Sequence, residues 1–222
     1  MFAVIFEVQP RTERWDEYLD LAKFLKPELE KIDGFIDNER FVSRRAKGRM
    51  VSLSTWRDEK AVIRWRTLAV HHQVQEKGRF EVFADYHLRV GEITRDNQVP
   101  PGQVVREQRF DETEIGSAKV VTLSELSPGN ADSTGATDLA ATLGLLAAEG
   151  VVDHEVFESI YNQGKLLLLA SWADATAAGR WLPRSSSQGA LRHRHVRVIR
   201  DYGMFDRREA PQYYPDAPRG GT

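Results

Sequence analysis

Shifting the 222-residue sequence by 116 positions lays it over itself without a gap from residue 4 to residue 65. Val4 falls on Val120, Leu29 on Leu145, Gly34 on Gly150, Glu39 on Glu155 and Phe41 on Phe157. Gly48 then meets Gly164, Leu53 meets Leu169, and Trp56 and Trp65 land on Trp172 and Trp181. The chain holds five tryptophans, so two coincidences in one frame mark a duplication. A period above about 100 residues is that of a domain rather than a solenoid unit. Beyond Trp65 the frame slips: Arg95-Asp96 corresponds to Arg200-Asp201 at an offset of 105. The second copy is therefore about eleven residues shorter, and the loss falls where the first reads TLAVHHQVQEKGRFEVF.

Each copy must then fold by one plan. In the first, residues 2–8 are short and β-rich, so a strand. Trp15, Tyr18, Leu19, Ala22, Leu25, Leu29 and Ile32 recur at helical spacings, which predicts an amphipathic helix over 13–32, with Thr12 as its cap, a kink at Pro27 and a stop at Gly34. Residues 35–43 and 49–56 read as a hairpin, with Val51 and Leu53 on one face and Ser52, Ser54 and Trp56 on the other. Asp58 caps a second helix, and 84–95 alternates as a last strand. The second copy repeats this as strand 118–125, helix 137–149, strands 151–160 and 165–172, helix 174–182 and strand 191–200. The order βαββαβ is the ferredoxin-like unit, an antiparallel sheet with two helices on one face. The expected fold class is α+β: two tandem ferredoxin-like units burying their bare faces sheet to sheet. The expected boundaries are 1–97 and 117–206 for the units, 98–116 for a linker marked by Pro100-Pro101 and charge, and 207–222 for an extended or disordered arm.

Composition removes several classes of function. Lys and Arg number 31 against 33 Asp and Glu, a balance that excludes nucleic-acid binding as the main role. The absence of cysteine excludes disulfides, thiolate metal sites and cysteine nucleophiles. No apolar run approaches the ~20 residues needed to span a bilayer, and the amino terminus lacks the pattern of a secretion signal. A cytoplasmic protein that binds no membrane is expected.

The segments IDGFIDNERF, SLSTWRDEKAVIRWR and HHQVQEKGR…DYHLRV resemble antibiotic biosynthesis monooxygenase (ABM) domains of the dimeric α/β-barrel superfamily. The ending VRVIRDYGMFDRREAP of the second copy is similar to the carboxyl terminus of single-copy members. Because such members pair as homodimers, the resemblance implies an intramolecular dimeric α/β barrel here, with a homodimer of the two-unit chain as a further assembly. It also implies a pocket between helices and sheet. The implied activity is oxidation of a planar aromatic or quinol-like small molecule by O2, without metal or cofactor. The alternative is a non-catalytic small-molecule or haem-binding barrel. In haem-degrading relatives a ligand histidine follows the second-helix tryptophan by about ten residues; here that position is Gln75.

Cofactor-free oxygenation needs a base, because a phenolate or enolate, rather than the neutral substrate, reacts with O2. Histidine is the natural choice. On a continuous helix His72, seven after Trp65, shares its face; the resemblance selects His71. Both stand as expected catalytic residues. Trp56, Trp65, Tyr86 and Glu7 are expected around the substrate, although repetition of both tryptophans favours packing and a lone glutamate among apolar neighbours favours an arginine pair. His193 and His195 read as a solvated strand face. Without the counterpart of His71-His72, the second copy is expected to be a structural partner.

Overall fold

The computed structural model describes residues 1–128, 138–184 and 189–211. The first copy comprises β1 (Phe2–Pro10), α1 (Trp15–Glu30), β2 (Phe35–Ser43), β3 (Met50–Trp56), α2 (Glu59–Thr67), α3 (Ala69–Lys77) and β4 (Phe83–Asp96). The second comprises β5 (Val120–Pro128), α4 (Leu139–Thr142), β6 (Val151–Ser159), β7 (Leu166–Trp172), α5 (Ala175–Arg180) and β8 (Gly189–Gly203). The eight strands close into one antiparallel barrel in the order β1-β3-β2-β6-β7-β5-β8-β4. Each half keeps the ferredoxin-like strand order. The halves join along β2–β6 and along the longer β4–β8 ladder, so neither sheet keeps a free edge.

The residues that turned one way in each predicted strand fill the interior. Ala3, Ile5, Phe41, Val51, Leu53 and Ile93 meet Val121, Leu123, Phe157, Leu167, Leu169, Val196 and Val198 in one core drawn from both copies. Burying the bare faces of the two sheets is what makes the pair of units one body.

Strand pairing revises the frame of the repeat. Phe2 pairs with Trp56 and Val120 with Trp172, so β1 and β5 correspond at an offset of 118 rather than 116. Glu7 is thereby equivalent to Glu125, and the 105 offset makes Arg89 equivalent to Arg194. Both pairs are made: Arg89 bonds Glu7 and reaches across to Ser171 at 2.8 Å, while Arg194 bonds Glu125 and reaches Thr55 at 3.1 Å. Ser171 and Thr55 are themselves equivalent at 116, so two buried ion pairs tie the copies reciprocally. Gly34 and Gly150 show the same symmetry. Each has positive φ (+91° and +83°), and a Cβ there would lie 2.7 Å or 2.5 Å from the Cβ of Ala61 or Ala177.

Differences from expectation have local causes. Thr12 lies in a 3-10 turn, and α1 starts without a side-chain cap. Asp58 caps α2 as predicted, accepting from the Ala61 N–H at 2.8 Å. The helix predicted at 137–149 is a single turn, α4, followed by a 3-10 turn at Leu145–Ala147. Residue 137 and the Gly220-Gly221 pair lie outside the described residues, as does the arm from 212 onward. The segment 98–116 has no regular structure but is tied down. Its Gln108 and Arg109 N–H groups donate to the buried Glu92 carboxylate at 2.6 and 3.0 Å, and Val105 packs on the barrel core. Among the described residues no helix is long and apolar enough to cross a membrane.

Candidate functional site

A cavity of about 190 Å³ lies between the helices and the outer face of the first sheet. Its long wall is α1, from Tyr18 through Leu21, Ala22 and Leu25 to Leu29. Eleven steps of 1.5 Å along the helix make this wall ~16 Å long. Half of the floor is apolar, Val4 and Phe6 of β1 beside their partners Val90 and Leu88 of β4. The other half is polar: Asn38 and Arg40 of β2 stand opposite Ser54 and Ser52 of β3. Asn38 donates to Ser52 Oγ at 3.0 Å, and the Trp56 indole N–H donates to Ser54 Oγ at 2.9 Å. Val62, Trp65, His71, Val74 and Gln75 close the roof, and Tyr202 of β8 completes the lining.

The roof owes its form to a helix break. Leu68 takes an extended conformation (φ −63°, ψ 126°) between α2 and α3. The break releases the Trp65 carbonyl from its regular helical partner, and His71 Nδ1 takes that place at 2.8 Å. The imidazole lies flat on the Trp65 indole, centroids 3.9 Å apart and planes inclined by 17°. A carbonyl can only accept, so Nδ1 carries the proton of the neutral ring and Nε2 is left as its basic nitrogen. The Gln75 amide lies 3.4 Å from both ring nitrogens. Burial, against the pull of the Trp65 carbonyl, lowers the His71 pKa to about 4; the ring is neutral at neutral pH.

The six residues singled out in the sequence divide. Trp65 and His71 line the cavity together. His72 does not line it; its N–H continues the helix to the Leu68 carbonyl at 2.8 Å. Trp56 is fully buried, edge-on to Phe35, and backs the site, bonding Ser54 and packing with Leu29, Val62 and Val90. Tyr86 lies outside the lining but on the floor's face of β4, beside Phe6 and Phe83 at 5.6 and 6.1 Å, its hydroxyl accepting from Arg207 at 2.6 Å. Glu7 alternates with Val4 and Phe6 and so points into the barrel, not the cavity. There Arg89, His87 and Arg49 outweigh the cost of burial and hold its carboxyl well below the usual range. Alternation along β1 dictates this placement.

The reading of His193 and His195 as a solvated face is corrected. They are 8% and 5% exposed, with their Nε2 atoms 3.1 Å apart and His193 edge-on to Trp181. Trp181, just past the end of α5, packs on this face. No cluster of three or more metal-ligating side chains occurs among the described residues.

Tyr18, Asn38, Arg40, Ser52 and Ser54 were not singled out. The signal was present in the hairpin, where two serines share the face that should meet the helices. At an offset of 116 the same positions in the second copy are His154, Val156, Leu168 and Ala170. Leu168 and Ala170 are buried with Leu139, Leu143, Trp172 and Trp181, and Val156 packs against them. Side chains thus occupy the second copy where the first has a cavity.

Haem does not fit this cavity. Roughly 150 Å³ suffices for one benzene ring, and a porphyrin has four pyrrole rings. The position at which haem-degrading relatives carry a ligand histidine is Gln75.

A profile of the family described as antibiotic biosynthesis monooxygenase matches residues 1–77. A protein of Pyricularia oryzae named jasmonate monooxygenase ABM is 45% identical over 223 residues, covering 98% of this chain and 100% of its own. Among solved structures, an aldoxime dehydratase superposes with a TM-score of 0.54 at 10% identity, over 89% of this chain and 81% of that one. A second, in complex with butyraldoxime, gives 0.55 at 11%, over 89% and 79%. These two resemblances concern the fold alone. Identity extending over nearly the whole length of both chains, together with the family match across β1 to α3, places this chain in the antibiotic biosynthesis monooxygenase family.

Proposed function

We propose that the chain is a cofactor-independent, cytoplasmic monooxygenase that uses O2 to oxidise a small, single-ring ketone, phenol or quinol. The observation that carries this reading is the neutral His71 imidazole in the roof of a mostly apolar cavity, its tautomer fixed by the Trp65 carbonyl. Such a ring can take a proton from a phenol, or from the carbon beside a ketone, and leave an electron-rich anion in a site shielded from water. Oxidation of an activated CH2 group to C=O by O2 releases the second oxygen as water, so the substrate itself supplies all the electrons. A phenol or quinol ring balances in the same way, a ring C–H becoming a quinone C=O with loss of water, and the cavity volume favours one ring over several. The name of the Pyricularia oryzae relative points to the same size class, since jasmonate is a cyclopentanone acid.

The test is O2 consumption by the purified protein with jasmonate and with a simple hydroquinone, with and without NADPH. Substrate-dependent uptake without NADPH, lost in His71→Gln, is expected. Absence of uptake with every substrate, or full activity in a His71→Ala/His72→Ala double variant, refutes the reading.

A further inference from the structure

Arg40 is a charge in the cavity without a counter-charge. Its guanidinium is half-buried in the floor, and its Nε is buried without a hydrogen-bond partner among the described residues. No described carboxylate lies within 4 Å of it. The adjacent Glu39 turns the other way, into the barrel, to Lys165 and Ser159. The groups that do meet Arg40 are two phenols: Tyr161 Oη accepts from Nη1 at 3.3 Å, and the Tyr18 hydroxyl faces it from α1. A hydroxyl that accepts from a guanidinium keeps its own proton to donate. The seat therefore offers only donors.

Leaving a cation in this state is costly, and the fold does not require it. The equivalent strand position in the second copy is Val156, which packs among apolar side chains. A local rule broken in one copy and obeyed in the other marks function. Arg40 and Tyr18 occupy one end of the α1 wall, whereas Trp65 packs with Leu29 and Val62 at the other. One planar guanidinium with two hydroxyls suits a singly charged, planar anion. Tyr161 belongs to the β6–β7 turn, so the second copy contributes to the seat.

We propose that Arg40, with the Tyr18 and Tyr161 hydroxyls, seats a carboxylate of the substrate, so that the pocket takes small, mostly apolar monocarboxylic acids. This rests on the reading of the cavity as the substrate site. It separates two roles along the cavity: the acid is held at Arg40, and the reacting carbon lies toward Trp65 and His71.

The experiment measures binding without turnover, by calorimetry under anaerobic conditions. The probes are jasmonate and its methyl ester, and octanoate and its methyl ester. Each acid is expected to bind the wild-type protein at least tenfold tighter than its ester. Arg40→Gln should weaken the acids by ~10- to 100-fold and leave the esters unchanged. Tyr161→Phe, at an exposed turn, should weaken the acids by a few-fold and keep the fold even where Arg40→Gln does not. Esters that bind as tightly as acids, acids that do not bind, or acid affinity indifferent to both variants would overturn the proposal. Acid binding through Arg40 without any O2 consumption would instead sink the oxygenase reading and leave the seat standing.

Discussion

The imidazole of His71 lies 3.9 Å above the indole of Trp65 and bonds the carbonyl of that same residue. One residue thus supplies both the surface that buries the base and the acceptor that fixes its tautomer. With a pKa lowered to about 4 by burial, the base is in its working, neutral form at any pH well above 4. The acid limb of the rate profile is expected near pH 4, not near the ordinary value of about 6.5. His71→Ala should cut turnover by ~10²- to 10⁴-fold with little change in ligand affinity. Trp65→Leu should expose the ring and move the acid limb upward. A wild-type limb at 6.5, or one that Trp65→Leu fails to move, would show that the stack does not control the base.

The buried pair His193 and His195, together with His71, sets the acid side of stability. Burial lowers all three to about 4, with further contributions from His195 on His193 and from Arg95 on His195. Unfolded histidine titrates near 6.5, so between roughly pH 6.5 and 4 the unfolded chain binds more protons. Stability should therefore fall as pH drops through that window. His87 runs the other way: burial pulls it down, but Asp201 and Glu7 outweigh this and raise it to about 9. Its contribution is full below about 6.5 and disappears as pH rises through 9. Urea midpoints at pH 5, 7 and 9.5 test both, with His195→Phe expected to flatten the acid slope and His87→Phe the alkaline one.

The architecture was legible because it is written twice. Gly34 with Gly150, Asp58 with Asp174 and Trp56 with Trp172 recur because each copy needs the same turn, cap and core residue. On a continuous helix His72 would share the face of Trp65; the extended Leu68 between α2 and α3 is what places His71 there instead. The cavity floor was less legible. Ser52 and Ser54 are small polar residues whose meaning depends on what faces them, and Arg40 looks like any surface arginine until β2 is placed beneath α1. The offset of 118 between β1 and β5 was concealed because Val4 and Val120 match by chance of composition. Only pairing to Trp56 and Trp172 fixes it. His193 was misread because which face of a strand is covered is a tertiary fact, whereas the arginine pair favoured for Glu7 is the one it makes with Arg89.

The reciprocal ion pairs predict paired consequences. Arg89→Met leaves Glu7 buried and Arg194→Met leaves Glu125 buried, each with a weaker set of cations. Loss of one partner of a buried pair costs about 3–5 kcal/mol. Residual contacts from Arg49 and Lys165 place both variants near the lower end. Because the pairs are equivalent, the two losses should agree within about 1 kcal/mol in urea unfolding. Glu7→Gln/Arg89→Met should recover part of the loss. Strongly unequal losses would mean that the symmetry of geometry is not one of energy.

The second copy contains the recipe for closing the first. Ser52 corresponds to Leu168, which packs fully buried where the first copy is hollow. Ser52→Leu adds apolar volume to an existing cavity, so the usual overpacking cost of about 1–3 kcal/mol is offset by filled space. Asn38, which donates to Ser52, keeps its second bond to the Leu53 carbonyl at 3.1 Å. The variant is therefore expected to match wild-type stability within about 1 kcal/mol while losing ligand binding and O2 consumption at least tenfold. Intact binding in a stable Ser52→Leu protein would show that substrate lies elsewhere. A variant that unfolds would show that the polar floor supports the sheet rather than the substrate.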